Sequence, residues 1–380
     1  MVAAASGKEA AFLRQLAVLI CLLSLSLTAC RDQNILEQIG FIRSIAFDSA
    51  GQTPEGEQLL EVTISIPKSN QQEKLTLSTV ARTAKEARMR FNRQNNRKLV
   101  NGQMRNILFG LEVTRKGTWR HLDTLLRDPS VGSKIHIVIV DGKAKELLET
   151  NYPHYPTTGE YIDKLLHSVI ESSMIPEVSM YSFIRDLFDD GIDPVAPVMK
   201  ANPETLEVTG IALFRGEQYV GQIPAPKGLL LSMLRSSSPN GEMMFQLEGE
   251  GGKKEHVMLG SMSNKRTVSV YHRNGRDLEI RVDLEIGGSV LEYTGKLSSR
   301  HDENQRRLER LMSEYVKKEA EEMIRSVQEK KVDPFGFGQY VRNRIGFKAW
   351  KALDWHETFP GVKVTVNPKV RIKESGKMEI

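Results

Sequence analysis

The sequence predicts a multi-domain α+β fold, with mixed β-sheets covered by helices and a long helix and closing strand at the C-terminus. Three observations predict it. The apolar period switches repeatedly between two and about 3.6, the signatures of half-buried strands and amphipathic helices. Hairpins dominate the second half, where Asn274-Gly275 is the strongest turn signal. A charged stretch of helical period then precedes one last alternating run. The 380 residues, 40% hydrophobic and 27% charged, suit two or three globular domains. The expected division is 1–29, 30–200 and 201–375, with a further break near residue 250.

Residues 1–29 read as a leader. Lys8 and Arg14 precede an apolar run, 16–29, of 14 uncharged residues. A spanning helix needs about 20, so the charged start, apolar middle and small residues describe a secretory signal peptide. Leu27, Thr28 and Ala29 stand directly before Cys30, in the pattern of a bacterial lipobox. In that chemistry the Cys30 thiol takes a diacylglycerol and becomes the new N-terminus. Two acyl chains anchor stably where one does not, so the body after Cys30 is expected on the outer face of the cell membrane. Cys21 lies within the leader, which leaves no disulfide to the mature chain, although the compartment permits one.

Residues 41–47 read as a strand broken by Asp48-Ser49-Ala50-Gly51. Leu60, Val62, Ile64 and Ile66 alternate with polar residues in a second strand, 59–66, and the pair forms a long-looped hairpin. Ser78 or Thr79 caps a helix, 78–92, with Val80, Ala84, Ala87 and Phe91 on one face. Its other face carries Arg82, Lys85, Arg88 and Arg93. That stripe is either a contact for anionic headgroups or a partner, or a solvated face. Strand 107–113, a helix through Trp119, Leu122, Leu125 and Leu126, and strand 135–140 form a right-handed βαβ unit. No G-x-G-x-x-G follows either strand, so the unit is architecture rather than a dinucleotide site. Helices are expected over 143–149, 159–172 and 179–190. Pro194, Pro197 and Pro203 make 191–203 read as a linker, which places the boundary near residue 200.

In the second half, strands 206–214 and 219–223 flank the tight turn Arg215-Gly216-Glu217-Gln218. A short apolar helix, 228–234, and a turn-rich break, 236–240, follow. Strands 268–272 and 278–286 close around Asn274-Gly275. A helix over 302–331 carries Leu308, Met312, Val316, Met323, Ile324 and Val327 on its apolar side. Glu319 interrupts that register, which favours a helix covering a sheet over a coiled coil. Another helix is expected over 335–352, and Val362, Val364 and Val366 alternate in the closing strand, 362–372.

The net charge of +5 is mild and widely spread. It suits anionic lipid, and no nucleic-acid-binding signature accompanies it, so no nucleic-acid partner is expected. The chain has no G-x-S-x-G and no H-E-x-x-H. Gly216 and Gly221 have the first spacing of a P-loop, but Gln222-Ile223 stand where Lys and Ser/Thr are needed. Gly249-Glu250-Gly251-Gly252-Lys253 leads into no helix and reads as a turn. No two of the 8 histidines lie within five residues of each other, so helical metal-ligand spacing is absent and each reads as a surface or boundary residue. Asp189-Asp190 ends a helix, where acids oppose the dipole. Catalytic, metal and cofactor-binding residues are therefore assigned to none.

Five blocks resemble, in order, the C-subunit lipoproteins of nutrient germinant receptors in endospore-forming bacteria. Cys30-Arg31-Asp32 stands where that family commonly has Cys-Trp-Asp. Leu125-Leu126-Arg127-Asp128-Pro129 with Gly142-Lys143-Ala144-Lys145-Glu146 is similar to its pattern, as are Gly191-Ile192-Asp193-Pro194 and Leu206-Glu207-Val208-Thr209-Gly210. The most specific block is Asp333-Pro334-Phe335-Gly336-Phe337-Gly338, followed by Trp350, Trp355 and Phe359-Pro360. The resemblance implies a three-domain body on the outer face of the spore's inner membrane. It also implies assembly with two integral-membrane subunits, no enzymatic activity, and germinant binding on the membrane partners. Two rival readings make different demands. A solute-binding lipoprotein of a transporter needs two similar lobes around a cleft, and an envelope hydrolase needs a clustered triad or metal site in a deep pocket.

Overall fold

The computed structural model describes residues 39–68, 73–236, 241–248, 252–273, 277–295 and 302–375, with Phe12, Arg14 and Ala17. Leu27, Thr28, Ala29 and Cys30 lie outside the described residues, as does Asn274-Gly275.

Strands β1 (Ile39–Phe41), β2 (Ser44–Gln52), β3 (Gln58–Pro67) and β4 (Lys74–Ala81) lead to helix α1 (Ala84–Gln94) and strand β5 (Lys98–Val100). Then come β6 (Asn106–Gly110), α2 (Leu111–Lys116), α3 (Trp119–Leu126), β7 (His136–Val140), α4 (Ala144–Glu149), α5 (Thr158–Glu171) and α6 (Met180–Phe188). Strands β8 (Val195–Ala201), β9 (Leu206–Arg215) and β10 (Gln218–Pro224) precede α7 (Gly228–Arg235). The C-terminal part holds β11 (Met243–Glu248), β12 (Lys254–Arg273), β13 (Asp277–Tyr293), α8 (Asp302–Glu329), α9 (Phe337–Ile345), α10 (Phe347–Lys351), α11 (Trp355–Thr358) and β14 (Lys363–Ser375).

Multi-domain mixed sheets and helices are what the sequence predicts and what the chain forms. An 8-stranded sheet runs β10-β9-β8-β7-β6-β2-β3-β4. Its centre, β2-β6-β7-β8, is parallel, and antiparallel pairs flank it on both sides. All of β6 and nearly all of β7 is buried, as expected of parallel strands covered on both faces. A 4-stranded sheet, β11-β12-β13-β14, forms the C-terminal part. Its last pair is parallel, joined through α8, which packs on β14 and β11.

Several expectations need correction. Strand β2 does not break at Asp48 but continues to Gln52. Residues 78–81, expected as the start of a helix, belong to β4, and α1 begins later under the Thr83 cap. The strand expected over 107–113 ends at Gly110, where α2 takes over. The helix expected over 335–352 is two helices, split at Gly346 with φ +81°. The region 191–203 is not a linker. It contains buried β8, and β9 and β10 extend the same sheet past residue 200. The large sheet therefore runs on past residue 200 to Pro224. Glu319 does not end the apolar stripe of α8, because Ala320 continues it between Val316 and Met323, all buried. Glu319 instead pairs with Lys227 at 2.8 Å, joining α8 to the start of α7.

Asp48 explains the longer β2. It is buried, and its carboxylate accepts from Ala144 N and Lys145 N at 2.8 Å each, capping α4 from the neighbouring strand. Asp48→Ala leaves those two donors unanswered, a loss of about 1–3 kcal/mol. The expected result is a lower urea midpoint with an unchanged slope. An unchanged midpoint rejects the cap as a stabilising contact.

Candidate functional site

The most elaborated polar site lies where the two sheets meet. It is built from the turn after α6 and from the chain between α8 and β14. Asp193 N donates to Asp333 O at 2.9 Å, and Asp333 N returns a bond to Asp193 Oδ2 at 2.7 Å. The Asp333 side chain, 1% exposed, then organises its own loop. Its Oδ1 accepts from Phe335 N at 3.1 Å, and its Oδ2 accepts from Gly338 N at 2.7 Å and from Trp355 Nε1 at 3.0 Å. A buried carboxylate requires such donors, because transfer from water without them is costly.

Aromatic rings close over this carboxylate. Phe335 and Phe337 lie 5.1 Å apart, Trp355 and Phe359 also 5.1 Å, and Trp350 and Trp355 5.7 Å, within the favourable range for ring pairs. Two glycines allow the approach. A Cβ at Gly338 would stand 2.6 Å from Trp355 Nε1 and 2.9 Å from Gly191 Cα. A Cβ at Gly191 would stand 2.6 Å from Gln339 N. The two backbones meet where neither position can hold a side chain.

Charged groups surround the contact. His356 Nε2 lies 3.0 Å from Asp193 Oδ1, and that hydrogen bond raises the imidazole pKa above its ordinary value against the effect of burial. Arg342 reaches Asp189 at 2.9 Å and Asp190 at 2.6 Å, and Lys351 reaches Asp190 at 3.2 Å. The acid pair that opposes the α6 dipole is thus answered by cations from α9 and α10. Arg235 at the end of α7 pairs with Asp186 and donates to Pro334 O. Arg266 of β12 donates to Phe335 O at 3.1 Å and to Arg235 O at 2.9 Å, with its guanidinium over the Phe337 and Tyr340 rings. One cluster therefore joins α6, α7, β12 and α9.

The arrangement ties the turn after α6 to the chain between α8 and β14. No hydroxyl is hydrogen-bonded to His356 among the described residues, which leaves the His–Asp pair without a nucleophile. His121, expected at a surface or boundary, is buried instead and stacked on Phe47 at 5.2 Å, and burial pushes its pKa down to about 4. Of the cavities elsewhere, two are lined mainly by apolar surface. One, of about 230 Å³, sits between α1 and α3. The other, of about 570 Å³, is lined by Met174, Leu229, Leu230, Met243 and Tyr315. Cys30, expected from the sequence to carry the lipid, and Leu27, Thr28 and Ala29 before it fall outside the described residues. Asp333, Gly338, Trp355 and Gly191 are reached by the sequence as similarity blocks. Asp186, Arg235, Arg266 and His356 are not, because no local spacing links them.

The cluster is sensitive to pH. Burial, reinforced by Asp193, pushes the Asp333 carboxyl from 3.8 up to about 6, against the hydrogen bond from Gly338. The folded chain then holds a proton that the unfolded chain has lost between about pH 4 and 6, so stability falls as pH rises through that window and levels off above it. His356 acts in the same direction. Its raised pKa gives stability present below about 6.5, the unfolded value, and lost as pH rises through the folded value. Asp333→Asn should flatten the decline between about pH 4 and 6 in urea midpoints. A variant that keeps the parental slope rejects the assignment. Trp355→Phe keeps an aromatic ring but removes the indole donor and part of the buried surface, and should cost about 1–3 kcal/mol in the same measurement.

Comparison with known proteins places this architecture. The spore germination protein N-terminal domain matches residues 32–201, and the spore germination B3/GerAC-like C-terminal domain matches residues 209–376. The chain is 24% identical over 367 residues to spore germination protein GerQC of Bacillus cereus, covering 95% of this chain and 99% of that protein. It is 23% identical over 387 residues to the putative spore germination protein YfkR of Bacillus subtilis (strain 168), covering 95% and 96% respectively. The crystal structure of the GerBC protein shares its fold, with a TM-score of 0.56 at 14% identity over 89% of this chain and 100% of that one. With both domains matched in order along nearly its whole length, the chain belongs to the GerAC-like family of spore germination proteins.

Proposed function

We propose that this protein is the membrane-anchored, non-enzymatic C subunit of a nutrient germinant receptor. Diacylglyceryl-Cys30 holds it on the outer face of the spore's inner membrane, where it assembles with integral-membrane subunits. The observation that carries the reading is the ordered match of both family domains over 32–201 and 209–376. The lipobox pattern Leu27-Thr28-Ala29-Cys30 supplies the anchor. The cluster around Asp333 supports a coupling role, because it fastens α6 of the large sheet to α9 beside the small one. The solute-binding alternative gains nothing from the architecture. Its two lobes should be alike, whereas the sheets differ in strand number and order.

Deletion of the gene should abolish or slow germination on at least one nutrient in a host without a redundant receptor. Germination at the parental rate on every single nutrient tested rejects the role. Cys30→Ala should leave the chain unacylated and move it from the membrane to the soluble fraction. A variant that keeps parental electrophoretic mobility and stays with the membrane rejects the anchor.

A further inference from the structure

The net positive charge, expected to be widely spread, is instead concentrated in one segment. Residues 82–105 hold eight Lys and Arg against one acid, Glu86, a net of +7. The whole chain carries +5, so everything else is net −2. The structure turns that segment into one surface: α1, the turn after it, and β5. Arg82, Arg88 and Arg90 are partly neutralised by Glu57 at 2.7 Å, Asp128 at 3.1 Å and Glu86 at 2.7 Å. Lys85 and Arg93 form no ion pair among the described residues, and both are exposed. Between them stands Met89, 68% exposed, one helical turn from each. An apolar side chain set between two unpaired cations on the outer face of a helix is the pattern of an interfacial helix.

The position of this surface is informative. β1 pairs with β5 in register, Ile39 opposite Lys98, and a Cβ on Gly40 would lie 3.5 Å from Arg97 and from Asn95. The first residues of the described body therefore emerge beside the C-terminal end of α1. Cys30 is nine residues before Ile39, a reach of at most about 30 Å even when fully extended. An acylated Cys30 keeps this edge within that distance of the bilayer.

We propose that the exposed face of α1, with the β1–β5 edge beside it, rests on an anionic phospholipid surface. Lys85 and Arg93 pair with headgroup phosphates, and Met89 enters the headgroup layer. Its approach to the bilayer rests on the lipid-anchor reading of Cys30. Its selectivity for anionic lipid rests on the charge of 82–105 alone. Each cation near such a surface contributes about five-fold in affinity.

The test uses the mature, acylated chain carrying Met89→Cys, labelled with a solvatochromic dye. The unsubstituted acylated chain is the labelling blank, because it has no other thiol. Two vesicle compositions are compared: phosphatidylcholine alone, and phosphatidylcholine with about a third phosphatidylglycerol. Emission should shift to the blue only on the second. Lys85→Glu with Arg93→Glu should abolish the shift, as should high salt. Co-flotation with phosphatidylcholine vesicles reports the anchor separately. A chain that floats on both vesicles without any shift keeps the anchor and overturns the headgroup contact. A chain that shifts with phosphatidylglycerol but does not float on phosphatidylcholine keeps the contact and overturns the anchor. Equal shifts on both compositions overturn the proposal. So does a charge-reversed variant that still shifts, or a shift that requires the membrane subunits rather than the anionic lipid.

Discussion

A single buried carboxylate holds the C-terminal chain in place. Asp333 gathers Phe335, Gly338 and Trp355 through three donated hydrogen bonds, and its own backbone exchanges bonds with Asp193. Five aromatic rings and two facing glycines pack around it. The geometry is demanding because a half-satisfied buried polar network costs more than an apolar core would. What it secures is relative position. The loop it fixes lies between α8 and β14, so the same contact that seats the aromatic cluster also determines where the last strand of the small sheet begins.

Much of the fold was legible in the sequence, for a physical reason. Period two in 59–66 and period 3.6 in 302–331 each report a single element, and both elements stand where they were expected, although β3 buries Thr63 and Ser65 on its polar face as well. Thr157 and Ser179 cap helices close to their expected starts. The errors share a cause as well. Val80 and Ala84 fit a helical face, but the first is in a strand and the second in a helix, since pairing with β3 decided the state of 74–81. Likewise Asp48 looks like a strand breaker until α4 is brought across it.

The site was legible only in part. Gly191 and Gly338 are far apart along the chain, and nothing in either sequence block says that they touch. Their shared meaning appears once both backbones are seen to occupy space that a methyl group would fill. Asp186, Arg235 and Arg266 belong to three different elements, and their partnership is a product of the tertiary fold. The family boundary near residue 200 and the continuous sheet across it describe different things. One divides the sequence into matched blocks, and the other shows that β9 and β10 complete the large sheet.

The parallel pairing of β13 with β14 has a consequence for the order in which the molecule can be made. Val282 pairs with Val366 and Ile286 with Val370, so a strand finished early waits for one that follows much later in the chain. Until Lys363–Ser375 leave the ribosome, β13 presents an open edge along much of its length. Such edges recruit other strands readily. Premature termination before residue 363 would therefore do more than shorten the chain. It would leave a permanent template for self-association, on a protein whose large sheet is already complete by Pro224.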